Sequence, residues 1–368
     1  MATRLPLVLL LLVPLAAGCP VSDDDDASND DDTTVADDDD AAGEAWFEDV
    51  TEQAGVVGGP PGGGCGIAVG DANGDGLPDF YVSQIQTRGL LYVNDGNGGF
   101  DELSNQSGLF REGNQNFGAA FIDVDGDGDQ DLIRANAGPN QVLLNASGYF
   151  ALSADALGFE GDRASVNTAF ADMDGDGDLD LYLTNGALDY GPEVVADEDQ
   201  LYRNDGGTFV DISDVLPPLA RRGFGFVSGW TDTDHDGDLD IYVVNDFGFV
   251  ISNQLFVNEG PSDDGGAWDF TVATDTCNCA ITEAGMGLAI GDVDRDGWQD
   301  FYLSNGAREQ KGSIVGEFLL RNAGDNSFID VSLANGAVAA SIPDRQSSWG
   351  LDWIDVDNDG WLDAIIPY

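Results

Sequence analysis

Asp123-Val124-Asp125-Gly126-Asp127-Gly128-Asp129-Gln130-Asp131 places five carboxylates in nine residues. Like charges at that density repel strongly unless something neutralises them. The run before it, Phe117-Gly118-Ala119-Ala120-Phe121-Ile122, is short and apolar. Similar runs flank the related stretches, Met286–Ile290 before one and Leu179–Leu183 or Phe301–Leu303 after others. Short apolar runs bounded by Gly and Asp read as strand, loop, strand.

The stretch recurs. Loops begin at Asp71, Asp123, Asp172, Asp232, Asp292 and Asp355, with successive starts 52, 49, 60, 60 and 63 residues apart. The residues at position 14, Gln84, Asn136, Asn185, Asn245 and Asn305, keep the same frame. A third apolar run follows in five units, at Leu91–Asn94, Leu143–Asn145, Leu201–Asn204, Leu255–Asn258 and Leu319–Asn322. Turn residues such as Asn204-Asp205-Gly206-Gly207 then lead to a fourth run around Phe100, Phe150, Phe209, Phe270 and Phe328. Four antiparallel strands per unit, repeated radially, predict an all-β fold, a β-propeller of six recognisable blade units. The sixth unit lacks a third and fourth strand before Tyr368. Phe47–Thr51 matches a fourth strand and is expected to close the ring against the last blade. That leaves either a three-stranded last blade or a chain truncated from a longer six- or seven-bladed ring. The truncated ring is preferred, because an open edge invites aggregation.

The loop chemistry is that of a hard cation site. Acids or amides at positions 1, 3, 5 and 9, a carbonyl at 7 and a glycine at 6 offer oxygen donors only. Ca²⁺ takes six to eight of these, whereas Mg²⁺ prefers a smaller shell that keeps several waters. The candidate ligands are Asp71, Asn73, Asp75 and Asp79 in loop 1, and Asp123, Asp125, Asp127 and Asp131 in loop 2. Loop 3 offers Asp172, Asp174, Asp176 and Asp180; loop 4 offers Asp232, Asp234, Asp236 and Asp240. Loop 5 offers Asp292, Asp294, Asp296 and Asp300, and loop 6 Asp355, Asp357, Asp359 and Asp363. Up to six Ca²⁺ are expected. Position 12 holds Val82, Arg134, Leu183, Val243, Leu303 and Ile366, all read as strand residues. An EF-hand needs a glutamate there and flanking helices, so that motif is excluded.

Six Asp-x-Asp-x-Asp-Gly-x-x-Asp loops, a following strand ending in Asn, and the phrase Trp46-Phe47-Glu48-Asp49-Val50-Thr51 resemble the FG-GAP/VCBS repeat family. That family includes the propeller of integrin α subunits and bacterial surface proteins related to cartilage acidic protein. The resemblance covers residues 46–368. It implies a calcium-stabilised propeller that binds ligands through its loops, with metal ligands at positions 1, 3, 5 and 9. Loop 1 departs by carrying Asn73 and should bind more weakly. The C-terminal domain common in the cartilage-acidic-protein relatives has no counterpart after the repeats.

Composition narrows the function. The chain has 368 residues, 69 Asp+Glu against 13 Lys+Arg, and a net charge of −56. Nucleic acid needs clustered Lys and Arg, so that partner class is excluded. His235 is the only histidine, which excludes zinc sites built on two imidazoles. Glycine, 50 residues, stands at about twice its usual share of roughly 7%, while the 42% hydrophobic content is that of a folded, turn-rich chain.

Residues 1–19 read as an address. Arg4 precedes an apolar run, Leu5–Leu15, too short to span a bilayer. Leu15-Ala16-Ala17-Gly18-Cys19 resembles the bacterial lipobox, with Ala16 where Leu is usual, and Cys19 would be the lipidated residue. An ordinary secretory signal is the alternative. Both readings export the protein; the first anchors it in the cell envelope by lipid alone. Residues 20–45, with Asp23–Asp26, Asp30–Asp32 and Asp37–Asp40, form an acidic disordered tether. With Cys19 assigned to lipid, Cys65, Cys277 and Cys279 remain. Cys277 to Cys279 is one possible bridge, and Cys65 to either is the rival.

No catalytic set is visible, so a ligand-binding or adhesion module is expected. A polysaccharide lyase or hydrolase, or a purely structural envelope protein, is the alternative. His235, at position 4 of loop 4, is expected to face solvent, and Asp189, Glu193 and Asp197–Asp199 to form a solvated loop. Strand parity puts the metal loops on one face with Arg295 alone among the bases. Arg111, Arg163, Arg221, Arg222 and Arg345 lie in inter-blade connections on the other face, with Arg88, Arg308 and Lys311 in second-to-third-strand loops of that face. With Phe224, Phe247 and Phe249 nearby, these arginines form a candidate ligand face for an anionic envelope glycan or protein carboxylate. Pairing with Glu112, Asp162 and Asp344 is the alternative.

Overall fold

The computed structural model describes residues 49–56, 64–85, 87–109, 115–153, 157–159, 161, 163–186, 197–246, 251–262, 268–306, 317–333 and 348–366. The signal, the tether, Cys19, Arg111, Arg345, Arg308, Lys311, Phe247 and Phe249 lie outside them, as do Asp189, Glu193, Glu112, Asp162 and Asp344.

Five blades have four antiparallel strands each. Blade 1 is β1 (Gly64–Gly70), β2 (Asp79–Gln84), β3 (Leu90–Asn94) and β4 (Phe100–Glu102). Blade 2 is β5 (Asn116–Ile122), β6 (Asp131–Asn136), β7 (Gln141–Ala146) and β8 (Tyr149–Leu152). Blade 3 is β9 (Ser165–Ala171), β10 (Asp180–Asn185), β12 (Gln200–Asn204) and β13 (Phe209–Asp211), with a short β11 (Asp197–Glu198) in its second-to-third connection. β11 pairs with β14 (Arg222–Gly223), in the connection to blade 4. Blade 4 is β15 (Gly225–Thr231), β16 (Asp240–Asn245), β17 (Gln254–Pro261) and β18 (Trp268–Val272). Blade 5 is β19 (Gly285–Gly291), β20 (Asp300–Asn305), β21 (Phe318–Asn322) and β22 (Phe328–Asp330). The sixth unit contributes one pair, β23 (Asp352–Ile354) and β24 (Asp363–Ile365). Five blades and a strand pair are thus present among the described residues; the sixth unit, read as lacking its third and fourth strands, does not form a full blade there. Ile366, expected on a strand, lies one residue past β24.

First strands lie side by side in chain order, β1, β5, β9, β15, β19, β23, and place the metal loops in sequence around the same end. The second strands β2, β6, β10, β16 and β20 are buried along their whole length. Alternation sends their side chains to opposite neighbours. Leu132 joins Tyr81 and Leu91 of blade 1, while the adjacent Ile133 joins Leu181 and Tyr202 of blade 3. Such a strand reads as a continuous apolar run because it is covered on both faces. Arg134 is the one basic residue in these strands: it is 1% exposed, with its guanidinium carbon 4.9 Å from the Tyr81 ring centroid.

Blades are also clasped at their outer edge. The turn after one fourth strand offers a carbonyl to the next: Ser107 accepts from Phe150 N–H, Leu157 from Phe209 N–H and Cys277 from Phe328 N–H, at 2.7–2.9 Å. Asp49–Val56 does the same for blade 1, where Ala54 accepts from Phe100 N–H at 2.7 Å. The described part of the Phe47–Thr51 stretch is therefore no strand. Thr51–Gly55 is a turn, held by Val50 O to Ala54 N–H, that docks on β4. Cys277 and Cys279 form a disulfide inside the blade 4 clasp, both fully buried. The side chain of Cys65 lies outside the described residues.

Candidate metal centre

Each metal loop closes on its own carboxylates. Position 1 accepts from the N–H of position 6, as Asp71 Oδ2 does from Gly76 (2.8 Å) and Asp292 Oδ2 from Gly297 (2.9 Å). Position 5 accepts from the N–H of position 7, as Asp127 does from Asp129 at 2.9 Å. These local bonds wind the backbone into successive Asx turns. They demand positive φ at position 6, met by glycine in every loop (82° at Gly76, 99° at Gly177). Position 4 is also left-handed, filled by Gly74, Gly126 and Gly175 and then by His235 (59°), Arg295 (60°) and Asn358 (58°).

Position 9 has a second task. Asp79, Asp131, Asp180, Asp240 and Asp300 are 0% exposed. In Asp180, Oδ2 accepts from Met173 N–H (2.8 Å) and Oδ1 from Asn204 N–H (2.8 Å). Asp131 does the same with Val124 (3.0 Å) and Asn145 (2.7 Å), and Asp300 with Val293 and Asn322. The residue ties its loop to the third strand. Burial pushes Asp131, Asp180 and Asp300 up to about 6 and Asp240 to about 7, against backbone N–H groups that pull them down.

In five loops the carboxylates converge, Asp180 and Asp300 of position 9 among them. Within 4.8 Å of one another stand oxygens of Asp123, Asp125 and Asp127; of Asp172, Asp174 and Asp180; of Asp232, Asp234 and Asp236; of Asp292, Asp294 and Asp300; and of Asp355, Asp357 and Asp359. Loop 1, with Asn73, forms no such trio; there Asn73 Nδ2 donates to Asp75 Oδ2 at 2.9 Å. Asp172 Oδ1 and Asp232 Oδ1 are buried and meet no hydrogen-bond partner. A buried carboxylate oxygen facing two or more other carboxylates is costly unless a cation completes it. The all-oxygen donor set and these orphaned atoms fit a hard divalent cation.

Several neighbours of the loops were not legible in the sequence. Arg321, on β21, reaches Asp294 at 3.3 Å, so Arg295 is not alone on this face. Arg321 stands one residue before Asn322, whose own N–H donates to Asp300 of the loop. His235 is exposed, but it stacks on Trp298 of loop 5 at 3.8 Å and 10°. One blade on, Arg295 lies 4.1 Å over the ring of Trp361. Position 4 of one loop thus meets position 7 of the next, a contact no single-loop pattern can announce.

On the opposite face the three described arginines of the inter-blade connections come together around an acid, while Arg88 pairs with Glu102 at 3.9 Å. Arg163 Nη1 lies 2.9 Å from Asp197 Oδ1, Arg221 Nη2 lies 3.5 Å from Glu198 and 3.3 Å from Asp214, and Arg222 Nη2 lies 2.6 Å from Glu198. The Arg222 hydrogen bond is the main cause holding Glu198 below the usual carboxylate range. The β11–β14 pairing makes Glu198 and Arg222 cross-strand partners. Asp197–Asp199 is therefore no solvated loop. Asp199 is buried, accepts from Tyr182 O–H (2.9 Å) and Asn185 N–H (2.7 Å), and is pushed by that burial up to about 7.

A family model for FG-GAP-like repeats matches residues 71–133 and 123–183. No curated protein sequence matches the chain. Among solved structures, the crystal structure of the V. cholerae biofilm matrix protein Bap1 is similar at 18% identity and a TM-score of 0.40, over 73% of this chain and 39% of that one. The matched repeats coincide with the first three metal loops and the strands beside them, and the same unit recurs through β20. Residues 71–183 thus match the FG-GAP-like repeat family, within a chain whose described strands are arranged as a β-propeller.

Proposed function

We propose that this chain is an exported, calcium-binding propeller that serves as a ligand-binding or adhesion module, tethered to the bacterial cell envelope through lipid on Cys19. The observation that carries the cation reading is the pair of buried, partnerless oxygens, Asp172 Oδ1 and Asp232 Oδ1, each inside a carboxylate trio. A bound Ca²⁺ would supply the positive charge that lets those carboxylates approach; positions 1, 3, 5 and 9 would hold it. In a chain of net charge −56 each ion also relieves long-range self-repulsion.

Binding rather than catalysis is favoured by the state of the other acids. Asp197, Glu198 and Asp214 are taken up in ion pairs, and Asp199 accepts two hydrogen bonds in the interior. The partner would be an envelope glycan or protein, anionic if it uses the face carrying Arg111, Arg163, Arg221, Arg222 and Arg345. There it must compete with Glu198, and Arg222, at 61% side-chain exposure, is the most accessible of the three described. An array of acidic and neutral glycans, probed with Ca²⁺ and with chelator, tests the module. Calcium-dependent capture that weakens in the Arg163/Arg222→Ala variant is expected; capture indifferent to both would sink the reading. Cys19→Ser should leave the membrane fraction; an unchanged distribution would exclude the lipid anchor.

A further inference from the structure

Loop 4 differs from its siblings in how the next blade grips it. Two residues before the fourth-strand Phe, blades 2 and 3 carry Gly148 and Gly207. Each lies over the preceding blade's loop: a Cβ on Gly148 would stand 3.4 Å from Asn73 Cβ, and one on Gly207 3.1 Å from the Val124 carbonyl. In blade 5 the same place is held by Asn326, at φ 58°. Its side chain enters the space the glycines leave. Asn326 Nδ2 donates to Asp234 Oδ2 at 2.7 Å, and its Oδ1 accepts from the Thr233 hydroxyl. From the same turn, Asn322 Nδ2 donates to the Thr233 carbonyl at 2.9 Å.

Trp298 completes the grip. It stacks on His235 and is backed by Gly324, where a Cβ would meet indole carbons at 2.7–2.8 Å. Positions 2, 3 and 4 of loop 4 are all held from blade 5, while Asp232 Oδ1 remains buried and without a partner at position 1. The pinned groups and the orphaned oxygen belong to one loop.

We propose that Asn326 is a positioning residue for the loop 4 cation: a site carried by blade 4 and pre-shaped by blade 5. This rests on the cation reading above. The amide restrains Asp234 through Oδ2 while Oδ1 accepts from Asp236 N–H at 3.3 Å, so less rotational freedom is lost when a cation binds. Partners of this kind, bonded to a ligand and not to the metal, typically change metal affinity about 10- to 100-fold. Blades 2 and 3, with glycine at this place, lack the device.

The test uses the full chain and two probes, Ca²⁺ followed by calorimetry and Tb³⁺ followed by luminescence excited through tryptophan, for which Trp298, stacked on His235 of loop 4, is a donor. Asn326→Gly gives blade 5 the residue that blades 2 and 3 carry and suits the positive φ. It should weaken one class of site about 10- to 100-fold, while the melting temperature in chelator stays that of the wild type. In an Asp236→Ala background, which removes loop 4, Asn326→Gly should change nothing further. Titrations of Asn326→Gly that superimpose on wild type overturn the proposal while leaving calcium binding intact. An equal loss in the Asp236→Ala background overturns it by placing the effect elsewhere. If the wild-type chain binds neither ion, the cation reading falls and this inference with it.

Discussion

The two ends of the blades solve the acid excess in opposite ways. On the loop face, carboxylates converge with few bases, Arg295 and Arg321 among them. On the other face, at blade 3, every carboxylate of Asp197, Glu198 and Asp214 meets a guanidinium. Backbone geometry explains the division. The loop carboxylates are consecutive odd positions of a tight turn and cannot separate. The Arg–Glu knot joins residues from different connections, free to choose partners of opposite charge. One face should therefore respond to metal and the other to pH and salt.

Chelation is the largest expected effect. A site saturated at 100 times its dissociation constant contributes about 2.7 kcal/mol, and each kcal/mol moves a domain of this size by about 1–2 °C. With several sites, removing Ca²⁺ should lower the melting temperature by more than about 10 °C, with Mg²⁺ restoring little of it. A melting curve indifferent to chelator would erase the contrast between the faces.

Next comes Asp180→Ala. It strands two buried N–H groups, of Met173 and Asn204, at roughly 1–3 kcal/mol each. The loss should therefore persist in chelator. If it vanishes there, position 9 matters only as a metal ligand.

Asp199→Asn tests the other face. Blades 2 and 4 carry Asn140 and Asn253 in this place, each accepting from the N–H of the position-14 Asn, as Asp199 does from Asn185. Asp199 in the folded state holds its proton up to about 7, above the ordinary 3.8. The folded state thus binds more protons between those values, so its contribution to stability is full below about 3.8 and is lost as pH rises through about 7. Asp199→Asn should flatten that decline and raise the melting temperature at pH 7.5. An unchanged pH profile would show that Asp199 titrates normally.

The smallest effect belongs to Arg222→Ala. Its ion pair with Glu198 is largely exposed, so the loss should stay below about 1 kcal/mol and shrink in salt. A larger, salt-independent loss would mean the knot is part of the core.

The metal loops were legible because their logic is local. Position 6 must be glycine for its φ, position 1 must reach position 6, and all of it lies within nine residues of sequence. The strand runs were legible for a similar reason, since alternation and continuous burial leave their mark on adjacent residues. Strand parity correctly separated the two faces: Ser147 N–H and Gly206 N–H, in third-to-fourth turns, donate to Asp129 and Asp178 of the loops.

What the sequence could not state was who meets whom across the molecule. Arg163 and Asp197 are 34 residues apart, and Asn326 and Asp234 are 92 apart. Such pairs depend on how far one blade is rotated against the next, and no periodicity within a blade encodes that rotation. The same holds for Asp199, read as solvated because it sits in an insertion between strands, yet buried because β11 pairs with β14 around it. Sequence by itself determined the repeated unit, its strands and its cation-shaped loops, since those follow from contacts within a few residues. Only the tertiary structure decided which carboxylates are left unpartnered, since pairing is set by the neighbouring blade.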